Sequence, residues 1–194
     1  MKNNFNKKIN KGFTVLETLV AVMIFTVSIT ALMSLSTSSQ GQVLASKNKL
    51  VASYLAQEGI ELVRNARDTY ILDFPNNPNV SGWSLFLSNY VPACSTDGGC
   101  NIIPTDIDLV GTPCPMGPMN GCALYYDAST GLYDTTSNAG KAYYRAIKIE
   151  HMNTSGIDEV KVTSTVSWVD GGTNKNISYV EFLNQWPYAF SAHP

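Results

Sequence analysis

Charge is scarce in this chain: Asp, Glu, Lys and Arg make up 14% of its 194 residues. Histidine is scarcer still. Only His151 and His193 occur, and no catalytic or metal-ligand grouping can be built from that pair by spacing. No glycine loop of the phosphate-cradling kind and no metalloprotease helix motif is present. We read no catalytic site, no metal site and no cofactor. Acid is missing from the first twelve residues, which carry Lys2, Lys7, Lys8 and Lys11. Proline is missing from Phe13 to Asp68, so nothing in the backbone forbids one helix of up to 56 residues there. Cysteine is missing everywhere except between Cys94 and Cys122.

What is there is unevenly spread. Hydrophobic residues total 44%, and much of that lies in FTVLETLVAVMIFTVSITALMSL, residues 13–35. As a helix, those residues span about 34 Å, enough to cross a hydrocarbon core of about 30 Å. The lysines ahead of it keep the amino terminus in the cytoplasm by the positive-inside rule, and everything after about residue 36 is then outside. Without residues 1–12 the chain holds nine basic against fifteen acidic side chains, a balance of −6. That sign leaves no electrostatic footprint for nucleic acid.

Two features separate this terminus from an ordinary secretory signal. Such a signal is cut after its apolar region, at a small-x-small site. Here the break, Lys11-Gly12-Phe13, comes before it. The second feature is Glu17, a carboxylate five residues into the apolar run. Ionisable residues at membrane depth cost around 2.5–3.5 kcal/mol at the bilayer centre and usually have a functional partner. The plainer alternative is a glutamate snorkelling to the cytoplasmic surface.

Lys-Gly followed by Phe-Thr-Val-Leu-Glu resembles the cleavage and methylation motif of type IV prepilins and of type II secretion pseudopilins. The resemblance covers the leader, the cut site and the whole apolar helix. It implies a leader of residues 1–12, removed by a prepilin peptidase after Gly12, with Phe13 the N-methylated first mature residue. It implies that Glu17 pairs with the Phe13 amine of a neighbouring subunit during filament assembly. The physics is compatible: the new amine is mostly protonated at neutral pH, residues four apart share a helix face, and buried opposite charges must pair or each is penalised. Implied partners are the peptidase, other pilin or pseudopilin subunits, an inner-membrane assembly platform and the membrane itself. Implied localisation is the cytoplasmic membrane, single-pass with the amino terminus inside, and then a cell-surface or extracytoplasmic filament. An unprocessed single-pass anchored protein is the remaining reading of the same helix.

Beyond residue 35 the helix turns amphipathic, over 36–68. Leu44, Val51, Leu55, Leu62 and Ala66 form one stripe, and Gly59 on that stripe could let a sheet approach closely. We read this half as packing on its own head domain. Glu61–Arg64 and Arg64–Asp68 are at pairing distance. The segment 52–68 resembles minor pilins more than abundant ones. Residues 71–80 read as turn-rich, and Ser81 caps a short helix over Gly82–Tyr90. Its aromatics Trp83, Phe86 and Tyr90 point to a core face rather than a ligand stack.

Cys94, Cys100, Cys114 and Cys122 follow, with C-x5-C and C-x7-C spacing. Zinc modules favour tighter pairs, so disulfides are the better reading in an oxidising compartment. Of three connectivities, Cys94–Cys100 with Cys114–Cys122 is the local-loop choice. Asp97, Asp106, Asp108 and Asp127 match no EF-hand-type spacing and read as solvated loop acids. The last third reads as strands: 122–126, 132–133, 142–152, 159–169 and 175–186. The expectation is an α+β, pilin-like fold. A helix over about 13–68, its first half transmembrane, lies on an antiparallel sheet of about four strands within a head of residues 69–194.

Overall fold

A computed structural model describes residues 12, 14–73, 81–102, 112–114, 121–135, 142–154 and 157–185. The chain is α+β, and it divides into two units, Met1–Ser46 and Lys47–Pro194. One helix, α1 (Val15–Asp73), supplies nearly all the described part of the first and opens the second. It runs five residues past the expected end at Asp68, and Pro75, which cannot continue a helix, follows two residues later. The remainder of the proposed 71–80 turn region, with Pro75 and Pro78, lies outside the described residues.

In Lys47–Pro194, helix α1 buries Asn48, Ala52, Leu55, Ala56, Gly59, Ile60, Val63, Ala66, Arg67 and Ile71. That stripe is centred on small residues rather than on the leucines of the sequence pattern. Leu44 is 58% exposed, and Leu62 is only half-buried. Small side chains let helix and sheet come together. A Cβ on Gly59 would lie 2.5 Å from Ser164 Oγ and 3.2 Å from Arg145 Cδ. The close neighbours there are sheet side chains.

Helix α2 (Gly82–Cys94) begins as the cap pattern requires, with Ser81 Oγ accepting from the Ser84 amide at 3.1 Å. It continues four residues beyond Tyr90. Pro92 lies in the last turn, where it removes the N–H that would bond to the Ser88 carbonyl. Gly82 sits where only glycine fits: an added Cβ would stand 2.1 Å from the Tyr70 carbonyl oxygen.

Among the described residues the sheet has seven strands against the expected four or so, all antiparallel. They are β1 (Cys100–Asn101), β2 (Thr112–Pro113), β3 (Cys122–Asp127), β4 (Leu132–Asp134), β5 (Tyr143–Thr154), β6 (Ile157–Asp170) and β7 (Thr173–Asn184). The surplus comes from two-residue bridges too short to leave a periodic signal. Strand β5 is central. It pairs along its length with β6 on one side, and with β3 and β1 on the other. Strand β7 adds to β6 through Gly171 and Gly172, both at positive φ, the condition of a two-residue hairpin turn. It opens at Thr173 rather than Lys175, and Trp186 lies outside the described residues.

The inward face of β5 is Tyr143, Arg145, Ile147 and Ile149, and Tyr144 and Ala146, which the sequence pattern groups with the two isoleucines, lie on the other face. A buried arginine hid the true phase. One core cluster joins Ile60, Val63 and Ala66 of α1 to Trp83, Phe86 and Tyr90 of α2 and to Ile147, Ile149, Val160, Val162 and Leu183 of the sheet. A second joins Ala52, Leu55 and Ala56 to Leu124, Tyr143, Val166 and Trp168. Each large apolar side chain fully buried there contributes about 1.5–3 kcal/mol.

Candidate functional site

The amino-terminal motif is organised by a helix start. Gly12 is exposed and lies ahead of the helix, and Phe13 is outside the described residues. Thr14 stands at the cap position, its hydroxyl accepting from the Glu17 amide at 3.3 Å and its carbonyl from the Glu17 and Thr18 amides at 3.0 and 3.2 Å. Glu17 is therefore in the first turn of α1, where a carboxylate faces the positive end of the helix dipole, worth about 0.3–1 kcal/mol. The described residues thus hold Gly12 and Glu17 close in sequence at one helix terminus.

The helix that follows offers apolar surface and little else. Val15, Leu16, Leu19, Val20, Met23, Phe25, Leu32 and Leu35 are each at least half exposed. An 18-residue window reaches a mean hydropathy of 2.2 with none of it buried, so this helix is long and apolar enough to cross a membrane. Its hydroxyls bond back to the preceding turn: Thr18 to Val15 O at 2.8 Å, Thr26 to Met23 O at 2.9 Å and Ser28 to Ile24 O at 2.8 Å. Donors satisfied in this way avoid the cost of an unpaired hydroxyl in hydrocarbon.

The four cysteines form two disulfides. Cys94–Cys100 ties the end of α2 to β1, and Cys114–Cys122 ties the residue after β2 to the start of β3. Both loops are short, with sequence separations of 6 and 8. Thiolate metal ligation is not available to these four, and among the described residues no cluster of His, Cys, Asp or Glu could hold a metal.

The polar centre of the head was not visible in the sequence. Arg145 is 2% exposed and donates to Glu58 Oε2 at 2.8 Å, to the carbonyls of Leu55 and Ile102 and to Asn101 Oδ1. Burial lowers its pKa, and the Glu58 carboxylate opposes that shift. The one available signal was an arginine in phase with buried isoleucines on β5. A second group links α2 to the β5–β6 hairpin. Trp83 Nε1 donates to Asp158 Oδ2 at 2.8 Å, and His151 Nε2 bonds Asp158 Oδ1. The His151 hydrogen bond, helped by Trp83 and opposed by desolvation, lowers the Asp158 pKa. Neither group forms a nucleophile–base pair; both knit elements together.

Other acids also have structural uses. Asp127 accepts from the Ser129 amide at 2.8 Å and from the Ser129 and Thr130 hydroxyls, closing the β3–β4 turn. Those bonds, the Ser129 amide first, lower its pKa. Asp97 is exposed, while Asp106 and Asp108 lie outside the described residues, as does His193. Arg64 pairs with Glu61 as its spacing indicated, but its second partner is Glu181 of β7. Asp68 is held by Arg67 instead.

Residues 7–33 match the family model described as the prokaryotic N-terminal methylation motif. The matched span contains Gly12, Phe13, Glu17 and most of the apolar run. No curated protein matches the chain, and no solved structure matches it.

Proposed function

We propose that this chain, which carries the prepilin methylation motif ahead of a long apolar helix, is a subunit of a type IV pilus or a related filament, and a minor rather than an abundant one. The single observation that carries the reading is the methylation motif at residues 7–33, on a helix whose side chains over residues 15–35 are all exposed. A prepilin peptidase removes residues 1–12 by cutting after Gly12, and Phe13 becomes the N-methylated first residue. The cut takes away four lysines that would hold the helix at the cytoplasmic face. It also creates a cationic amine four residues from Glu17. In the filament, Glu17 of an entering subunit meets the Phe13 amine of a neighbour, since two charges leaving water must compensate one another. The assembly platform in the inner membrane moves the helix from bilayer to filament, while the disulfide-stapled head stays outside.

Mass spectrometry of the mature chain from cells that hold a prepilin peptidase tests this. The expected amino terminus is methylated Phe13. An intact Met1 start, or a cut beyond residue 30, would sink the reading.

A second reading places the same subunit in a secretion or DNA-uptake pseudopilus, with the head contacting substrate or serving as an adhesive tip. The disulfide-closed loops 94–100 and 114–122 favour it, because short staples hold a contact surface in shape. Loop variants that assemble normally yet lose binding would support this second assignment.

A further inference from the structure

Within Lys47–Pro194, an apolar groove of about 240 Å³ lies between α1 and β4, lined by Val51, Tyr54, Leu55, Glu58 and Tyr133. Its one carboxylate is engaged, since Glu58 accepts from Arg145 at 2.8 Å. What the groove offers an occupant is therefore apolar wall. An apolar cavity of roughly 150 Å³ holds benzene, so there is room here for one aromatic ring. At the opposite edge of the sheet such a ring stands in solvent. Strand β7 pairs with β6 alone among the described strands. Its alternation turns Ile177, Tyr179 and Leu183 toward the core clusters and Val180 and Phe182 away from them. Phe182 is 56% exposed, and Val180 beside it on the same face is 52% exposed.

We infer that Phe182 is a knob for this groove on a second copy of the chain, in a contact running from the β7 edge of one head to the α1–β4 edge of the next. Size is the first support: a phenyl ring matches the hole. Position is the second. Across the sheet the order is β4, β3, β5, β6, β7, so hole and knob lie at opposite edges of one head. A contact between two different surfaces is heterologous, and unless its rotation closes a ring it repeats into an open array. Level is the third. The groove sits beside Arg145, which bonds Leu55 O and Glu58, whereas Phe182 faces Lys161 and Lys161 faces Glu150. From 145 to 150 is five residues of β5, or about 17 Å at about 3.3 Å each. Copies joined this way are stepped by that distance, which favours a staircase over a ring. The flanking charges also agree in sign, with Lys161 beside the knob and Glu58 in the wall of the hole, and opposite charges fix register. This assignment rests on the filament reading above. It adds that a minor subunit enters the filament in stepped runs of its own kind rather than singly.

The test uses the full chain, expressed with two different tags in the same processing and assembling cells. A photo-crosslinking phenylalanine analogue replaces Val180, which leaves Phe182 in place. The expected adduct joins residue 180 of one copy to a peptide holding residues 51–58, or Tyr133, of the copy with the other tag. Adducts confined to lipid, to a different protein or to the same chain, or no adduct at all, overturn the assignment. Phe182→Ala on the knob side and Tyr54→Asp on the hole side should each lower the adduct by at least about tenfold, the scale of a hot-spot residue. Cleavage after Gly12 and the melting temperature of the head should match the parent, because both side chains are more than half exposed. Should Tyr54→Asp melt lower, Phe182→Ala decides. An undiminished adduct with Phe182→Ala overturns the knob while leaving the filament reading in place. A parent chain that is never cleaved overturns the reading beneath it.

Discussion

Arg145 shows how a single buried residue fixes the head. Its guanidinium reaches α1 through Leu55 O and Glu58, and the chain around β1 through Asn101 and Ile102 O. Desolvating a cation costs several kcal/mol unless such partners compensate. Removing it would leave four buried or half-buried acceptors without their donor, each costing about 1–3 kcal/mol where it stays dry. Arg145→Met should therefore destabilise the head by about 3 kcal/mol, read as a lower midpoint in denaturant with an unchanged slope. Arg145→Lys should not restore it, because a single ammonium cannot reproduce the planar fork that reaches these acceptors. A midpoint within error of the parent would show that the hydrogen bonds were replaced by water at no cost.

At the scale of elements, the crossing of α1 and α2 is set by contact between backbones. An added Cβ at Gly82 would lie 2.1 Å from Tyr70 O and 2.8 Å from Ile71 Cα, and backbone cannot swing aside as a side-chain tip can. Gly82→Ala should cost on the order of 3 kcal/mol despite alanine's better helix propensity, measurable as a fall in melting temperature. Gly131, whose added Cβ meets nothing, has no such crowding and differs only in its positive φ. These elements also show what a sequence can and cannot disclose. The long helix, the Ser81 cap and the last two strands were legible because each rests on local chemistry: no proline, a hydroxyl before an apolar run, alternating side chains. The burial phase of β5 was legible at Ile147 and Ile149 but not ahead of them, because Arg145 sits where the pattern expects an apolar residue. Nor were β1 and β2, at two residues each, or the choice of Glu181 by Arg64, since those depend on partners far along the chain. The amino-terminal motif was legible for the opposite reason: Gly12, Phe13 and Glu17 lie within six residues.

For the whole molecule, the two units have different physical characters. Lys47–Pro194 contains both core clusters and both disulfides, whereas the described residues of Met1–Ser46 include none that is buried. Stability and filament entry should accordingly respond to different substitutions. Glu17 is exposed and remote in sequence from every core residue, and among the described residues its carboxylate acts at the helix dipole, worth at most about 1 kcal/mol. Replacing it should leave the melting of the head unchanged. If Glu17 pairs with the Phe13 amine of a neighbour as proposed, loss of the carboxylate in the filament leaves that amine without its counter-charge, a penalty of several kcal/mol. Glu17→Ala and the isosteric Glu17→Gln are thus both expected to be cut after Gly12 at the parent's rate, to fold, and to enter filaments at least about tenfold less well. The amide variant separates charge from size. If Glu17→Gln assembles like the parent while Glu17→Ala does not, the side chain acts through shape and hydrogen bonding. If both assemble normally, charge pairing with Phe13 has no part in assembly, and the carboxylate serves the helix start alone.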